Sequence, residues 1–162
     1  MLKVEISSAN DVRYPSRMQS LWADTLQSAE RFHLLRLLVW GAASVLTGTA
    51  LLAWLRIGAK RSELLRHFAI QFSAWGLVDV LIALAMISNV PLRDIHSATR
   101  LDRFLWLNIG LDAGYVMVAL ALIVTGWQLG KRLGLVGAGI GVMVQGLALA
   151  VLDLILASRI SL

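Results

Sequence analysis

The chain has 162 residues, of which 58% are hydrophobic and 15% charged, with a net charge of +5. Its mean hydropathy is +0.73 and its pI about 10.4. Soluble domains carry about 25% charged residues, so this composition excludes an ordinary soluble domain and leaves no room for a second globular one. The absence of cysteine excludes disulfides, thiol chemistry and cysteine-ligated metal centres.

Residues 1–15 carry no hydrophobic period. From Pro15-Ser16 the pattern changes. Ser16 and Gln19 fit a capping box, and Met18, Leu21, Trp22, Thr25, Leu26, Ala29 and Phe32 keep to helical spacing. Arg17, Asp24, Gln27 and Glu30 occupy the other face. The spacing predicts an amphipathic helix over 16–32, lying in the membrane interface with Trp22 as anchor or packed as a lid on the end of a bundle. No Gly or Pro interrupts 16–40, so the helix can run on into the apolar stretch beyond Arg36. The first 33 residues offer no continuous apolar signal-peptide core. The first span is therefore expected to act as its own insertion signal.

Four apolar stretches come next, at about 37–55, 68–88, 104–127 and 135–157. Each approaches the roughly 20 residues that an α-helix needs to cross the hydrocarbon core. The fold expected is all-α: a four-helix transmembrane bundle (34–162) preceded by the amphipathic segment (1–33). Short connections make neighbours antiparallel and put both termini on one side. Segment 90–103, with Pro91, is expected to include a short interfacial helix, and Lys131-Arg132 to mark a tight turn. Basic residues at span ends suit anionic lipid headgroups better than nucleic acid. They divide evenly between the two sides. The shorter loops, with Lys60, Arg61, Arg66, Lys131 and Arg132, tilt the orientation toward a cytoplasmic position for the side opposite the termini.

The two halves read as a duplicated two-helix unit. Ser28-Ala29-x-Arg31, Gly41, Trp54, Gln71 and Asp79 are matched in order by Ser97-Ala98-x-Arg100, Gly114, Trp127, Gln145 and Asp153.

Three acids lie inside the spans: Asp79, Asp112 and Asp153. Each costs about 2.5–3.5 kcal/mol on insertion scales, so each must face protein or water. At about 1.5 Å rise per residue, Asp79 and Asp112 lie about 12–13 Å deep from the same side, with Asp153 shallower. Asn108, Asp112 and Tyr115 share one face of span 3. Arg36 is the nearest candidate counter-charge, then Arg103 and His33. Small residues beside the acids, and the glycines of spans 3 and 4 (Gly110-x3-Gly114, Gly137-x3-Gly141), suggest close helix packing. The candidate ligand or proton site is thus Asp79, Asn108, Asp112, Tyr115, Gln145 and Asp153, with Arg36.

No HExxH, P-loop, GxSxG or nucleophile–base pair occurs, and no histidine is placed mid-span to hold a haem. Neither enzyme activity nor a cofactor is expected. Two functions fit. In the first, the protein is a structural or accessory subunit, packed on a membrane partner or on its own copy, with the acids as hydrogen-bonded glue. In the second, it is a carrier of protons or of a small polar solute that uses the acids.

The run Leu107-Asn108-x-Gly110-Leu111-Asp112-x-x-Tyr115-Val116, then Arg132-Leu133, Gln145-Gly146 and Asp153, with a looser match around Trp75 and Asp79, resembles an uncharacterised family of bacterial four-helix integral membrane proteins. The resemblance spans roughly 37–157. It implies a four-helix fold in a bacterial inner membrane and no assigned activity.

Overall fold

The computed structural model describes residues 13–58 and 61–160, with side chains from Leu21 onward in the first helix. Four α-helices make up the fold: α1 Arg13–Ile57, α2 Glu63–Ile87, α3 Ile95–Gln128 and α4 Leu133–Ile160. Among the described residues, all four are long and apolar enough to cross a membrane. The chain is a membrane protein built as an all-α four-helix bundle. The apolar stretches read from the sequence fall inside these helices, apart from Ser88, which caps α2.

Helix starts and stops obey local chemistry. Ser62 caps α2 by accepting from the Leu65 amide at 3.3 Å, and Asp94 caps α3 by accepting from the Ser97 amide at 2.8 Å. Between α3 and α4 the chain reverses through Gly130 and Lys131, both at positive φ, and the Arg132 amide donates to the Gly126 carbonyl at 2.7 Å. The expected tight turn is there.

Two helix limits differ from expectation. The first helix starts at Arg13, ahead of Ser16, with Pro15 in its first turn, where a missing amide costs nothing. The capping-box side chains Ser16 and Gln19, with Arg17 and Met18, lie outside the described side chains. Residues 95–103 form no separate interfacial helix; they are the first turns of α3, because Asp94 caps just after Pro91 ends the extended link.

No break separates 21–32 from span 1. The 45-residue α1 is about 68 Å long at 1.5 Å per residue, far more than the roughly 30 Å hydrocarbon core. Its first part therefore rises past the bundle end that also holds the 88–94 loop and the end of α4, called here the upper end. Part of its polar face is withdrawn from water, although Asp24 stays exposed. Glu30 is buried, and Gln27 donates to the Val90 carbonyl at 2.8 Å. Leu26 is buried as the apolar period implies, while Leu21 and Phe32 stay exposed. Ala29 packs on an upper core of Leu105, Leu156 and Ala157.

The helices pair as two hairpins, α1 with α2 and α3 with α4. Helix α4 also packs on α2 and, less extensively, on α1; α2 and α3 make no backbone-level contact. Helix α4 is thus the hub. Its glycines divide the work. A Cβ at Gly137 would strike the Leu64 carbonyl, and one at Gly141 would lie 2.9 Å from Gln71 Cβ, both on α2. A Cβ at Gly139 would lie 2.7 Å from the Ala119 carbonyl on α3. The α1–α2 seam is as tight: Gly41 and Gly76 face each other, with the other's carbonyl 2.7 Å from where each Cβ would stand. Ser44 and Ser73 sit in this seam with hydroxyls lacking a hydrogen-bond partner, so small size is what those positions supply.

The span 3 glycines depart from expectation. Gly110 and Gly114 meet nothing within 4 Å. Their face of α3 points away from the bundle, because Leu105, Asp112 and Ala119 hold the inner face. The hairpin pairing agrees with a duplicated unit, but Gly41 and its counterpart Gly114 occupy unlike surroundings.

Gly76→Val drives a side chain into Ser44 and the Gly41 carbonyl and is expected to cost about 3 kcal/mol or more of stability, whereas Gly114→Val is expected to change it by under about 0.5 kcal/mol; thermal unfolding in detergent checks both. At Asp94, the side-chain and backbone hydrogen bonds from Ser97 hold the carboxyl below its ordinary value of 3.8. A depressed folded-state value means that the cap stabilises α3 fully above 3.8 and is lost as pH falls through the lower, folded value. Asp94→Ala is thus expected to lower the melting temperature at pH 7, with the difference shrinking below pH 3.8.

Candidate functional site

Because α2 and α3 stand apart, a cavity of about 320 Å³ opens between them, closed behind by α1 and α4. Asp79, Asn108, Asp112, Tyr115 and Asp153 all line it. The depth argument placed Asp79 and Asp112 at one level, and the structure puts them on opposite walls of one space. Asp79 and Asp112 are 3% and 5% exposed, and the Oδ2 atom of each has no hydrogen-bond partner. The carboxylates of Asp79 and Asp112, and of Asp112 and Asp153, are close enough to act on one another electrostatically.

The floor is aromatic. Trp75 of α2 and Tyr115 of α3 meet edge to face, centroids 5.0 Å apart, bridging the gap that the helix backbones leave. The upper end is closed by an ion pair: Arg93 of the α2–α3 loop donates from Nε and Nη2 to the two Glu30 carboxylate oxygens at 2.6 and 2.9 Å. Both side chains are largely buried. This two-point pair ties the start of α1 over the cavity mouth. Between α2 and α3 the sides are apolar and exposed: Val78, Ile82 and Met86 against Phe104 and Leu111.

Asp153 has partners where the other two acids do not. His33 Nε2 lies 3.4 Å from Asp153 Oδ1, while His33 Nδ1 lies 3.3 Å from the Leu152 carbonyl. A carbonyl only accepts, so Nδ1 carries a proton. A proton on Nε2 or on the carboxyl would make the Nε2–Oδ1 contact attractive. Asn108 lines the same cavity, with its side chain near the Asp153 carboxyl.

Two of the expected site residues lie elsewhere. Arg36 is exposed and does not line the cavity; it lies about one turn below His33, beside the hollow on the α1–α4 side that His33 also lines. The side chain that reaches Asp153 is His33. Gln145 is 2% exposed and fully engaged, accepting from Trp40 Nε1 at 2.6 Å and donating to the Phe72 carbonyl at 3.2 Å. It ties α4 to α1 and α2 and does not line the cavity. This glutamine supplies interhelical hydrogen bonds of the kind expected of the aspartates. The Glu30–Arg93 closure had no signal in the sequence beyond Glu30's place on the polar face of the first helix. Trp75 is marked in the sequence by its place well inside the 68–88 stretch.

A family of unknown function, DUF6992, matches residues 36–154. The chain belongs to this family. No curated protein and no solved structure matches it. The DUF6992 match covers all three aspartates, Trp75 and Tyr115, and begins beyond Glu30 and His33.

This arrangement separates two kinds of buried polar residue by stability. Gln145→Leu strands the Trp40 indole donor and removes the second hydrogen bond at the Phe72 carbonyl, and is expected to lower stability by about 2 kcal/mol. Asp112→Leu removes a buried oxygen that had no partner, and is expected to leave stability unchanged or raise it by about 1 kcal/mol. Chemical or thermal unfolding of the two variants in one detergent checks this.

Proposed function

We propose that the protein is a carrier for a small solute that is positively charged or rich in hydrogen-bond donors, bound in the α2–α3 cavity with a proton exchanged at the acid cluster. The observation that carries the reading is that two residues lining this space, Asp79 and Asp112, each keep a buried carboxylate oxygen, Oδ2, with no protein partner. Intramembrane acids are costly and mark pathways for ions, protons or substrates. A solute donating to both oxygens removes that cost, and the Trp75 and Tyr115 rings below add a surface suited to a cation.

A proton held between His33 and Asp153 supplies the coupling. Asn108 links that pair to the face that carries Asp112. The charged and titratable groups around the cavity are Glu30 and His33 from α1, Asp79 from α2, Arg93 from the loop, Asp112 and Tyr115 from α3, and Asp153 from α4. Glu30 and Arg93 neutralise each other. The acids and His33 are thus left to respond to pH and solute together.

A second reading has its own support. The outer face of α3 presents Gly110 and Gly114 with nothing against them. A small-residue face of this kind suits close contact with another membrane helix, as an accessory subunit or a self-associating protein would need.

The test is flux in proteoliposomes holding the purified protein and a pH-sensitive dye. The carrier reading expects a solute-dependent proton flux in the parent. Asp112→Asn is expected to keep the fold and lower that flux at least about tenfold, the size of effect that loss of a proton-transfer group produces. A parent without flux under any cationic solute, together with a stoichiometric membrane partner in mild detergent, supports the accessory reading instead.

A further inference from the structure

Outside the acid cavity, a long concave surface runs along the α1–α4 side. Two hollows of about 530 and 700 Å³ lie there, and they share Phe32 and Arg36. The lower one is a trough walled by Val39, Trp40 and Ala43 of α1 and by Ala148 and Val151 of α4. It exists because α1 and α4 pack least extensively of the touching pairs and because alanines stand where larger side chains would fill it. Apart from Arg36 its lining is apolar or aromatic. From Arg36 to Ala43 the trough descends about 10 Å into the bundle, a depth filled by lipid chains in a membrane.

The upper hollow is different. Arg36 stands at its junction with the trough, and Arg159 lines it from the last turn of α4. Neither arginine makes an ion pair among the described residues. The acid in this lining, Asp24, sits twelve residues above Arg36, about 18 Å along the helix, so the junction stays positive. Trp22 lines the far, upper part of the same hollow.

We infer that this groove is a binding site for one anionic phospholipid, with its phosphate held at Arg36 and Arg159 and one acyl chain in the trough beside Trp40. Charge complementarity selects the headgroup, and continuity between the two hollows selects a lipid over a soluble phosphate. Arginine suits the role because its guanidinium meets a phosphate with two parallel donors. The lipid headgroup sits against His33, which lines both this groove and the acid cavity. The site stands independently of the carrier reading.

The test uses the purified full chain in mild detergent, titrated with phosphatidylglycerol, phosphatidylcholine or soluble glycerol 3-phosphate, and read by thermal stability. A second readout is quenching of tryptophan fluorescence by lipids with brominated chains. The expected result is stabilisation by phosphatidylglycerol at lower concentration than by phosphatidylcholine, and none by glycerol 3-phosphate. Arg36→Gln and Arg159→Gln each cut the preference about fivefold, while affinity for phosphatidylcholine stays the same. Ala148→Leu fills the trough and weakens quenching by both lipids. Equal response to both lipids in the parent, a preference that survives both arginine variants, or stabilisation by glycerol 3-phosphate alone would each overturn the site.

Discussion

Helix α4 can approach two partners at backbone distance only because glycines occur on two of its faces, and the rest of the structure depends on that. Gly137 and Gly141 admit α2, while Gly139 admits α3. A helix held between two others keeps them apart, so α2 and α3 touch through Trp75 and Tyr115 and not through their backbones. The cavity is a consequence of this wedge. Lipid tails are as apolar as leucine, so close packing, not hydrophobic exclusion, holds the helices together. The tight Gly41–Gly76 crossing then fixes where α1 stands.

The same physics sorts the buried polar residues. Gln145 is amide-bearing and neutral, and each half of its side chain has a partner on another helix. Asp79 and Asp112 are buried to a similar degree and keep oxygens without partners. Asp153 lies between these cases, with His33 and Asn108 beside it. Where water is scarce, an unpaired acceptor is expensive. Its presence in an otherwise well-packed bundle is easier to understand at a ligand site than as a stabilising device. The Glu30–Arg93 pair closes that site at the upper end, and the apolar gap between α2 and α3 flanks it.

The sequence carried the architecture and the depth of the acids, because span length and helical rise are one-dimensional quantities. It placed Asp79 and Asp112 at one level without any knowledge of packing. Direction around a helix was harder. Gly110 and Gly114 have the same spacing as Gly137 and Gly141, yet only the latter pair faces a neighbour. Arg36 lies about one turn from His33 and shares the outer groove with it, but only His33 also lines the cavity. Gln145 read as a site residue because glutamine within a span is rare, and rarity does not distinguish a ligand from a tie between helices. The Arg93–Glu30 closure joins residues 63 apart in the chain, beyond the reach of any periodic pattern. The polar face of the first helix gave no sign that Gln27 and Glu30 find partners in the 88–94 loop.

The central claim is that Asp79 and Asp112 line a space that solutes reach. The chain has no cysteine, so a single introduced thiol reports its own surroundings. The most direct measurement is the labelling rate of Asp112→Cys in membranes by a charged, water-soluble thiosulfonate, with Gly114→Cys on the outward face of α3 as control. The account predicts that Asp112→Cys is labelled and Gly114→Cys is not, with faster labelling at 112 once Glu30→Gln loosens the closure. A thiol at 112 as silent as one at 114, with or without Glu30, would contradict it.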